Sequence, residues 1–166
     1  MEGKYRPGHF NGVAQVVTKL FDTIMPSRAY FGMKDFQQLA IIKKVVADYQ
    51  YPVEIIPCPT VREADGLALS SRNKRLSADE RQHAALIAKT LFWAQQNAST
   101  MSINELKKAV IATINNDPFL KVEYFEIVND QTLQPVKTWH DAGGKIGCIA
   151  VNVGKVRLID NINFYS

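Results

Sequence analysis

The strongest constraint on the fold of this chain is an alternation of helix and strand patterns before residue 60. Six apolar residues first recur at the spacing of one helix face, namely Val13, Val16, Val17, Leu20, Phe21 and Ile24. A strand pattern at 29–31 ends at Gly32, and Asp35 with Gln38 then has the spacing of a capping box for a second helix. The apolar run "PVEIIP" follows from Pro52. This order predicts a βαβ unit with parallel strands and helices packed on the sheet.

The predicted βαβ unit is incomplete by itself. Its two strands make a sheet too small to be stable alone. The sequence also opens on a helix pattern with no strand pattern ahead of it. We therefore expect residues 1–60 to be the later part of a larger α/β domain, whose other strands were cut away or come from another chain.

Residues 61–166 have a different pattern, which predicts a small α+β domain. Ser77 with Glu80, and Ser102 with Glu105, each have the spacing of a capping box at the start of a helix. Three strand patterns follow these helices, "KVEYFEIVN", "KIGCIAVNV" and "KVRLIDNI", and a turn near Gly154 joins the last two as a hairpin. Two helices and a three-stranded antiparallel sheet form such a domain.

The charge balance favours small anionic ligands over nucleic acid. The chain has 20 Lys and Arg against 16 Asp and Glu, a net charge of only +4. Its densest basic cluster, Arg72, Lys74 and Arg75, is too short to bind a duplex. The cluster also contains no aromatic residue on which single-stranded bases could stack. We predict no nucleic-acid partner.

The two cysteines and the apolar runs predict a cytoplasmic protein. Cys58 and Cys148 lie in apolar runs without metal-ligand spacing, so we expect two reduced thiols. No basic-then-apolar leader follows Met1, and no signal peptide is predicted. No uncharged apolar run approaches the ~18 residues of a membrane helix, so no membrane contact is predicted.

The stretch "YFGMKDFQQL" places a cation where a strand pattern meets a helix pattern. A helix start at the carboxyl end of a parallel strand presents backbone N–H groups and the positive end of the helix dipole. Lys34 adds a point charge that suits a phosphate. A surface turn, with Lys34 solvated and Asp35 only capping the helix, also fits this spacing. The pattern alone leaves both interpretations open.

The stretch "DGLALSSRNKRLS" is a second candidate for phosphate binding. Ser70 and Ser71 can donate hydrogen bonds to a phosphate, and Arg72 can bind its oxygens as a fork. A basic hinge ahead of a capped helix is the other interpretation. The three histidines are far apart in sequence, so neither a metal site nor a nucleophile–base pair is predicted, and His9 is expected to be a turn residue.

Four segments in order resemble the pantothenate synthetase family, the pantoate–β-alanine ligases: "RPGHFNGV", "FGMKDFQQL", "VREADGLALSSRN" and "GKVRLIDNI". The resemblance spans nearly the whole chain and concerns the later part of the family pattern. The family begins with a Rossmann-like domain marked by a histidine-x-glycine-histidine loop, which does not occur in these 166 residues. The resemblance thus implies that residues 1–60 are the C-terminal remnant of a Rossmann-like ATP- and pantoate-binding domain. Residues 61–166 would form a C-terminal α+β lid domain.

The resemblance also implies which residues bind the substrates. ATP, carrying Mg²⁺, would contact Gly32, Met33, Lys34, Asp35, Val61, Leu69, Ser70, Ser71 and Arg72. Among these, Lys34 and Arg72 would be the catalytic cations on the phosphates, and Val61 would meet the adenine. Gln38 would hydrogen-bond pantoate. The family often has methionine at the position of Leu69, a change that nearly conserves volume.

The implied reaction joins pantoate to β-alanine through a pantoyl adenylate, with release of pyrophosphate and then AMP. The resemblance further implies a homodimer. Because the histidine loop is missing, we expect this chain to be inactive by itself, a truncated enzyme that keeps its Lys34 and Arg72 elements. The alternative is a non-catalytic module that binds a nucleotide or a partner chain.

Overall fold

The chain folds as two units in the computed structural model, which describes residues 1–164. The first unit spans Met1–Thr60 and the second begins at Val61. The first is an α/β unit with a parallel sheet, and the second is an α+β unit with an antiparallel sheet. The predicted fold class is thereby confirmed. None of the helices in residues 1–164 is long and apolar enough to cross a membrane.

The first unit has a two-stranded parallel sheet with helices around it. Its elements are α1 (Glu2–Tyr5), α2 (His9–Ile24), β1 (Arg28–Gly32), a 3₁₀ helix (Met33–Asp35), α3 (Phe36–Asp48) and β2 (Glu54–Cys58). In the register of the sheet Arg28 lies opposite Glu54, and Gly32 lies opposite Cys58. Both strands therefore end at the same edge of the sheet, where the 3₁₀ helix and α3 begin.

The core of the first unit is small. Phe21, Ile42 and Val53 form its buried apolar cluster, and Phe31 and Val46 pack against them. Leu39 of α3 is buried as well, at 3% exposure. Helix α2 ends as predicted ahead of Pro26, where Met25 adopts a left-handed conformation with φ 48°. The predicted apolar face of α2 is only partly covered within residues 1–164, as three of its members show. Val16, Leu20 and Ile24 are 59%, 49% and 64% exposed.

The predicted capping box of Asp35 and Gln38 is wrong. Asp35 is the residue before α3, but its side chain makes no capping hydrogen bond. The physical reason is the 3₁₀ turn Met33–Asp35, which leads directly into the α-helix and gives Asp35 a φ of −93° and a ψ of 57°. An N-cap side chain needs extended backbone to reach the N–H groups of the first turn.

The second unit packs two helices on a three-stranded antiparallel sheet. Its elements are a 3₁₀ helix (Ser71–Arg75), α4 (Ala78–Asn97), α5 (Ile103–Asn115), β3 (Leu120–Asn129), β4 (Lys145–Val153) and β5 (Val156–Phe164). Both predicted capping boxes are confirmed, since Ser77 and Ser102 each exchange hydrogen bonds with the glutamate three residues on. The predicted hairpin is confirmed as well. Val153 pairs with Val156, and Gly154 turns the chain with a φ of 54°.

The core of the second unit is much larger than that of the first. Leu91 of α4, Leu106 of α5, and Phe125 and Ile149 of the sheet are all at most 1% exposed and belong to one cluster. Cys148 is buried in the same sheet, and both cysteines are free thiols. This core holds strand β5 and the start of α4 in place. The segment containing Ser70 and Arg72 directly precedes α4 in the chain and contacts β5.

Candidate functional site

One group of candidate residues lies in the first unit, where β1 gives way to α3. Gly32 is the last residue of β1, and Met33, Lys34 and Asp35 form the 3₁₀ turn after it. Gln38 follows in the first turn of α3. Residues 32–35 and Gln38, which the sequence assigns to ATP and pantoate, are thus brought together at the carboxyl edge of the parallel sheet. Ligands of open α/β sheets bind at this edge.

Gln38 lines a cavity of about 560 Å³ within the first unit. The other lining residues come from the start of α2 and the turn before it: Gly8, His9, Gly12, Val13, Val16 and Val17. The lining is mostly apolar, and the Gln38 amide and the His9 imidazole are its two polar side chains. Such a cavity suits a small organic molecule that has an apolar body and a few polar groups.

His9 is a functional candidate that the sequence reasoning missed. It was expected to be a turn residue, but it is the first residue of α2 and lines the same cavity as Gln38. Gly8, immediately before it, makes the turn with a φ of 76°. The signal was the segment "RPGHFNGV", which carries part of the family resemblance and contains four of the cavity residues.

Another group of candidate residues lies in a turn at the start of the second unit. The N–H of Leu69 donates to the carbonyl of Val61 at 2.9 Å, so these two predicted ATP contacts are neighbours. Both side chains are exposed, Val61 by 65% and Leu69 by 55%. Exposed apolar side chains side by side suit the face of a planar ring.

We call Leu69–Arg72 the phosphate segment. Ser70 caps the 3₁₀ helix, because its Oγ accepts from the N–H of Arg72 at 3.2 Å. The Ser70 hydroxyl hydrogen is not used in that bond and can be donated to a ligand. Arg72 uses Nη1 to donate to the carbonyl of Arg157 on β5 at 3.0 Å. A guanidinium has five N–H donors, and among residues 1–164 this is the hydrogen bond made by the Arg72 side chain.

An ion-pair network lies next to the phosphate segment. Arg81 of α4 donates from Nη2 to Glu63 at 2.7 Å and from Nη1 to Asp65 at 2.6 Å. These hydrogen bonds hold the pKa of both carboxyl groups below their usual values, and the two carboxylates in turn raise the pKa of Arg81. The network is therefore fully charged at neutral pH.

A buried ion pair fixes the chain ahead of the phosphate segment. Arg62 donates to both carboxylate oxygens of Asp160 on β5, at 2.7 and 3.0 Å. The Asp160 side chain is only 2% exposed. Arg62 also donates to the carbonyls of Gly66 and Asn161, which holds the turn at 61–69 against β5.

The other two histidines do not belong to a site of this kind. The Nδ1 atom of His83 lies 2.6 Å from Asp117, and its ring packs on Phe119. His140 lies on the loop between β3 and β4. Across residues 1–164, no group of three or more His, Cys, Asp or Glu side chains is placed to hold a metal ion.

Comparison with known proteins decides the family. The pantoate-beta-alanine ligase family matches residues 1–163. This chain belongs to that family. The resemblance that the four segments indicated is thereby confirmed. A pantothenate synthetase from Bacteroides thetaiotaomicron is 57% identical over 164 residues, which are 99% of this chain and 58% of that protein. One from Flavobacterium psychrophilum is 48% identical, over 98% of this chain and 58% of that protein.

Solved structures of the ligase family share the fold. The pantothenate synthetase from Thermus thermophilus matches all of this chain with a TM-score of 0.93 and 42% identity, and the match covers 60% of that protein. A pantoate-beta-alanine ligase from Francisella tularensis, solved as a complex with "Beta-gamma ATP" and β-alanine, matches with a TM-score of 0.73 and 35% identity over 54% of its chain. This chain thus spans a little over half the length of the ligases it matches.

Proposed function

We propose that this chain is part of an ATP-dependent pantoate–β-alanine ligase and carries two of its ATP-contacting segments. The observation that carries the proposal is the family match over residues 1–163. The Francisella tularensis relative, solved with "Beta-gamma ATP" and β-alanine, supports the choice of substrates. The substrates proposed for this chain are pantoate, β-alanine and ATP, with Mg²⁺ carried by the nucleotide.

The proposed reaction has two steps. A carboxylate oxygen of pantoate attacks the α-phosphorus of ATP, and the bond to pyrophosphate breaks. The amine of β-alanine then attacks the acyl carbon of the pantoyl adenylate, loses a proton and expels AMP. Negative charge builds up on phosphoryl oxygens in the first step and on the acyl oxygen in the second, so fixed cations and N–H donors are the groups that lower the barriers.

Each candidate residue has a role in this scheme. Lys34 and Arg72 neutralise the negative charge on the phosphate oxygens as pyrophosphate leaves. Ser70 and Ser71 donate hydrogen bonds to the same phosphate oxygens. Gly32, Met33 and Asp35 contact ATP beside Lys34. Val61 meets the adenine, and Leu69 lies next to it. Gln38 hydrogen-bonds pantoate in the cavity that His9 also lines.

The 166 residues by themselves are proposed to bind Mg-ATP without turning it over at an ordinary rate. They include no histidine-x-glycine-histidine loop, so the phosphate contacts that the family resemblance assigns to that loop are not available from this sequence. Binding without turnover corresponds to the second candidate function, that of a non-catalytic nucleotide-binding module. A homodimeric state and a cytoplasmic location are further parts of the proposal, the latter consistent with two free thiols.

Calorimetric titration of Mg-ATP into the purified chain tests the proposal. We expect saturable binding that weakens about 10- to 100-fold in Lys34→Ala and in Arg72→Ala, because a hydrogen bond to a charged group contributes about 1.5–3 kcal/mol. Lys43→Ala and Arg75→Ala are the matched controls, and each removes one exposed cation. Lys43 lies in α3, directly after the 3₁₀ turn of Lys34, and Arg75 lies in the same 3₁₀ helix as Arg72. Binding in these controls should stay within about twofold of the unchanged chain.

Two results would contradict the proposal in different ways. If Mg-ATP does not bind to the unchanged chain, or binds equally to all four variants, Lys34 and Arg72 are not parts of an ATP site in this chain. If the purified chain forms AMP at an ordinary enzyme rate only when pantoate is present, the ligase assignment stands, but the proposed inactivity is wrong.

A further inference from the structure

The phosphate segment is closed into a loop by one side chain, the amide of Asn73. Asn73 directly follows Arg72, and its Nδ2 donates to the carbonyl of Ala68, which directly precedes Leu69, at 3.1 Å. The N–H of Asn73 also donates to the carbonyl of Ser70 at 3.0 Å. Both ends of the four-residue phosphate segment are therefore joined through the same residue.

The Asn73 amide is itself held by charged groups. Its Nδ2 donates to Oε1 of Glu63 at 2.6 Å, and Oε2 of the same carboxylate accepts from Arg81 at 2.7 Å. The second fork nitrogen of Arg81 binds Asp65, whose other oxygen accepts from the N–H of Leu67. A continuous chain of hydrogen bonds thus runs from the first turn of α4, through Glu63, to the residue after Arg72.

The burial of the Asn73 side chain is not explained by a gain in the stability of the fold. The residue is only 8% exposed, and its Oδ1 is buried with no hydrogen-bond partner among residues 1–164. A buried carbonyl oxygen without a partner is unfavourable. What the position gains is the pair of N–H donors, one of which binds the Ala68 carbonyl just ahead of the phosphate segment while the other binds the Glu63 carboxylate.

We propose that Asn73 and Arg81 are positioning residues for Arg72, acting through the Ala68–Asn73 closure and the Glu63 carboxylate. This inference rests on the proposed function, in which Arg72 binds phosphate. An arginine can bind a phosphate as a fork only if its backbone holds the guanidinium in place, and holding it in advance reduces the entropy lost on binding. The Arg72 backbone lies between Ala68 and Asn73, so it moves when the hydrogen bond between these two residues breaks.

The test compares Asn73→Ala and Arg81→Ala with Lys89→Ala, which removes an exposed cation from the same helix as Arg81. The first measurement is hydrogen exchange of single amides and does not depend on any ligand. We expect the amides of Leu69 and Arg72 to exchange at least about tenfold faster in Asn73→Ala and Arg81→Ala, while the Ile149 and Val151 amides of β4 stay unchanged. Exchange at Leu69 and Arg72 that changes by less than about twofold in both variants overturns the inference.

The second measurement separates positioning from a general loss of structure. We expect Asn73→Ala and Arg81→Ala each to weaken Mg-ATP binding by about tenfold in the unchanged background. In an Arg72→Ala background each should weaken it by less than about twofold, because residues that act through a shared partner are not additive. Equal losses in both backgrounds would overturn the inference and assign Asn73 and Arg81 an independent role.

The two measurements also separate this inference from the proposed function. If no variant and not even the unchanged chain binds Mg-ATP, the proposed ATP site fails in this chain. The exchange experiment then still decides whether Asn73 and Arg81 fix the Leu69–Arg72 backbone. Faster exchange in the Lys89→Ala control at the same amides would overturn the inference, since that variant leaves the closure intact.

Discussion

Gly32 has an extended backbone, with φ −67° and ψ 130°, and a Cβ atom added to it would meet no described atom within 4 Å. The fold of the first unit therefore accepts the methyl group of an alanine at this position. Glycine is also used where a ligand must approach the backbone closely. A substitution of Gly32 therefore tests whether the ligand needs glycine at this position, because the fold does not.

We predict that Gly32→Ala keeps the stability of the chain and weakens Mg-ATP binding by about tenfold, or ~1.4 kcal/mol. The added methyl group occupies space that the nucleotide needs, while the backbone is unstrained. Thermal unfolding and calorimetric titration of the same samples measure the two effects. Gly3→Ala in α1 is the control, because a Cβ there makes only ordinary contacts with Phe10, at 4.0 Å. Unchanged affinity in Gly32→Ala would place the nucleotide away from the end of β1.

The local structure around a candidate residue was easiest to predict where its neighbours are close in sequence. Lys34 lies beside the start of α3, and Ser70 caps the helix that begins at the next residue. The predicted capping hydrogen bond of Asp35 was wrong because a 3₁₀ turn replaced the expected extended backbone. His9 was missed because its cavity is completed by Gln38, 29 positions later in the sequence.

Three elements of the second unit meet at Arg81. The guanidinium lies in the first turn of α4 and binds Glu63 and Asp65 of the preceding loop, and Glu63 binds Asn73 of the 3₁₀ helix. The side chains of Arg81 and Glu63 are 28% and 30% exposed, so solvent partly screens the pair. The network joins elements that have no backbone ladder in common, and its strength depends on the charge of two carboxylates.

This dependence predicts how pH affects the second unit. The pKa values of Glu63 and Asp65 in the folded chain lie below their ordinary values of 4.5 and 3.8. A lowered carboxyl pKa stabilises the fold above the unfolded pKa, and this contribution is lost as pH falls through the folded pKa. We therefore expect the unchanged chain to be more stable than Arg81→Ala at pH 6, and the difference to shrink as pH falls below about 4.5.

Chemical denaturation of both proteins between pH 6 and pH 3 measures this difference. Lys89→Ala is again the control, and its difference from the unchanged chain should depend little on pH. A difference between Arg81→Ala and the unchanged chain that stays constant down to pH 3, or increases, would show that the carboxylates contribute nothing through Arg81.

At the level of elements, the sequence predicted the features that follow from residue spacing and from the order of helices and strands. The capping boxes at Ser77 and Ser102, the parallel pairing of β1 with β2 and the β4–β5 hairpin were all predicted and are confirmed. The network at Arg81 was not predicted. Its partners Glu63 and Asn73 are separated from each other by 10 positions, and Arg81 is 18 positions from Glu63. No helix or strand period links such positions, so only the folded turn reveals them.

The two units differ in how much apolar surface they bury. The second has one large core formed by both helices and the sheet, while the first has a small buried cluster of Phe21, Ile42 and Val53 and exposes much of one face of α2. Periodicity in the sequence showed which residues of α2 share a face. It could not show that Leu20 and Ile24 would be exposed, because a pattern does not tell whether anything covers the face.

The central claim for the whole molecule is the proposal that the chain binds Mg-ATP, with candidate contacts at residues 32–35 and at residues 69–72. Family membership supports ATP as the ligand, and the chain spans 58% of the length of its Bacteroides thetaiotaomicron relative. The places of contact are proposals that rest on the local geometry of each segment. They are tested most directly by locating the nucleotide on the chain.

The decisive measurement is amide hydrogen exchange of the unchanged chain with and without saturating Mg-ATP. The account predicts slower exchange at 32–35 and at 69–72, and no change in the central strand β4. Protection confined to other residues, or no protection at any ATP concentration, would contradict the claim that these two segments form the nucleotide contacts.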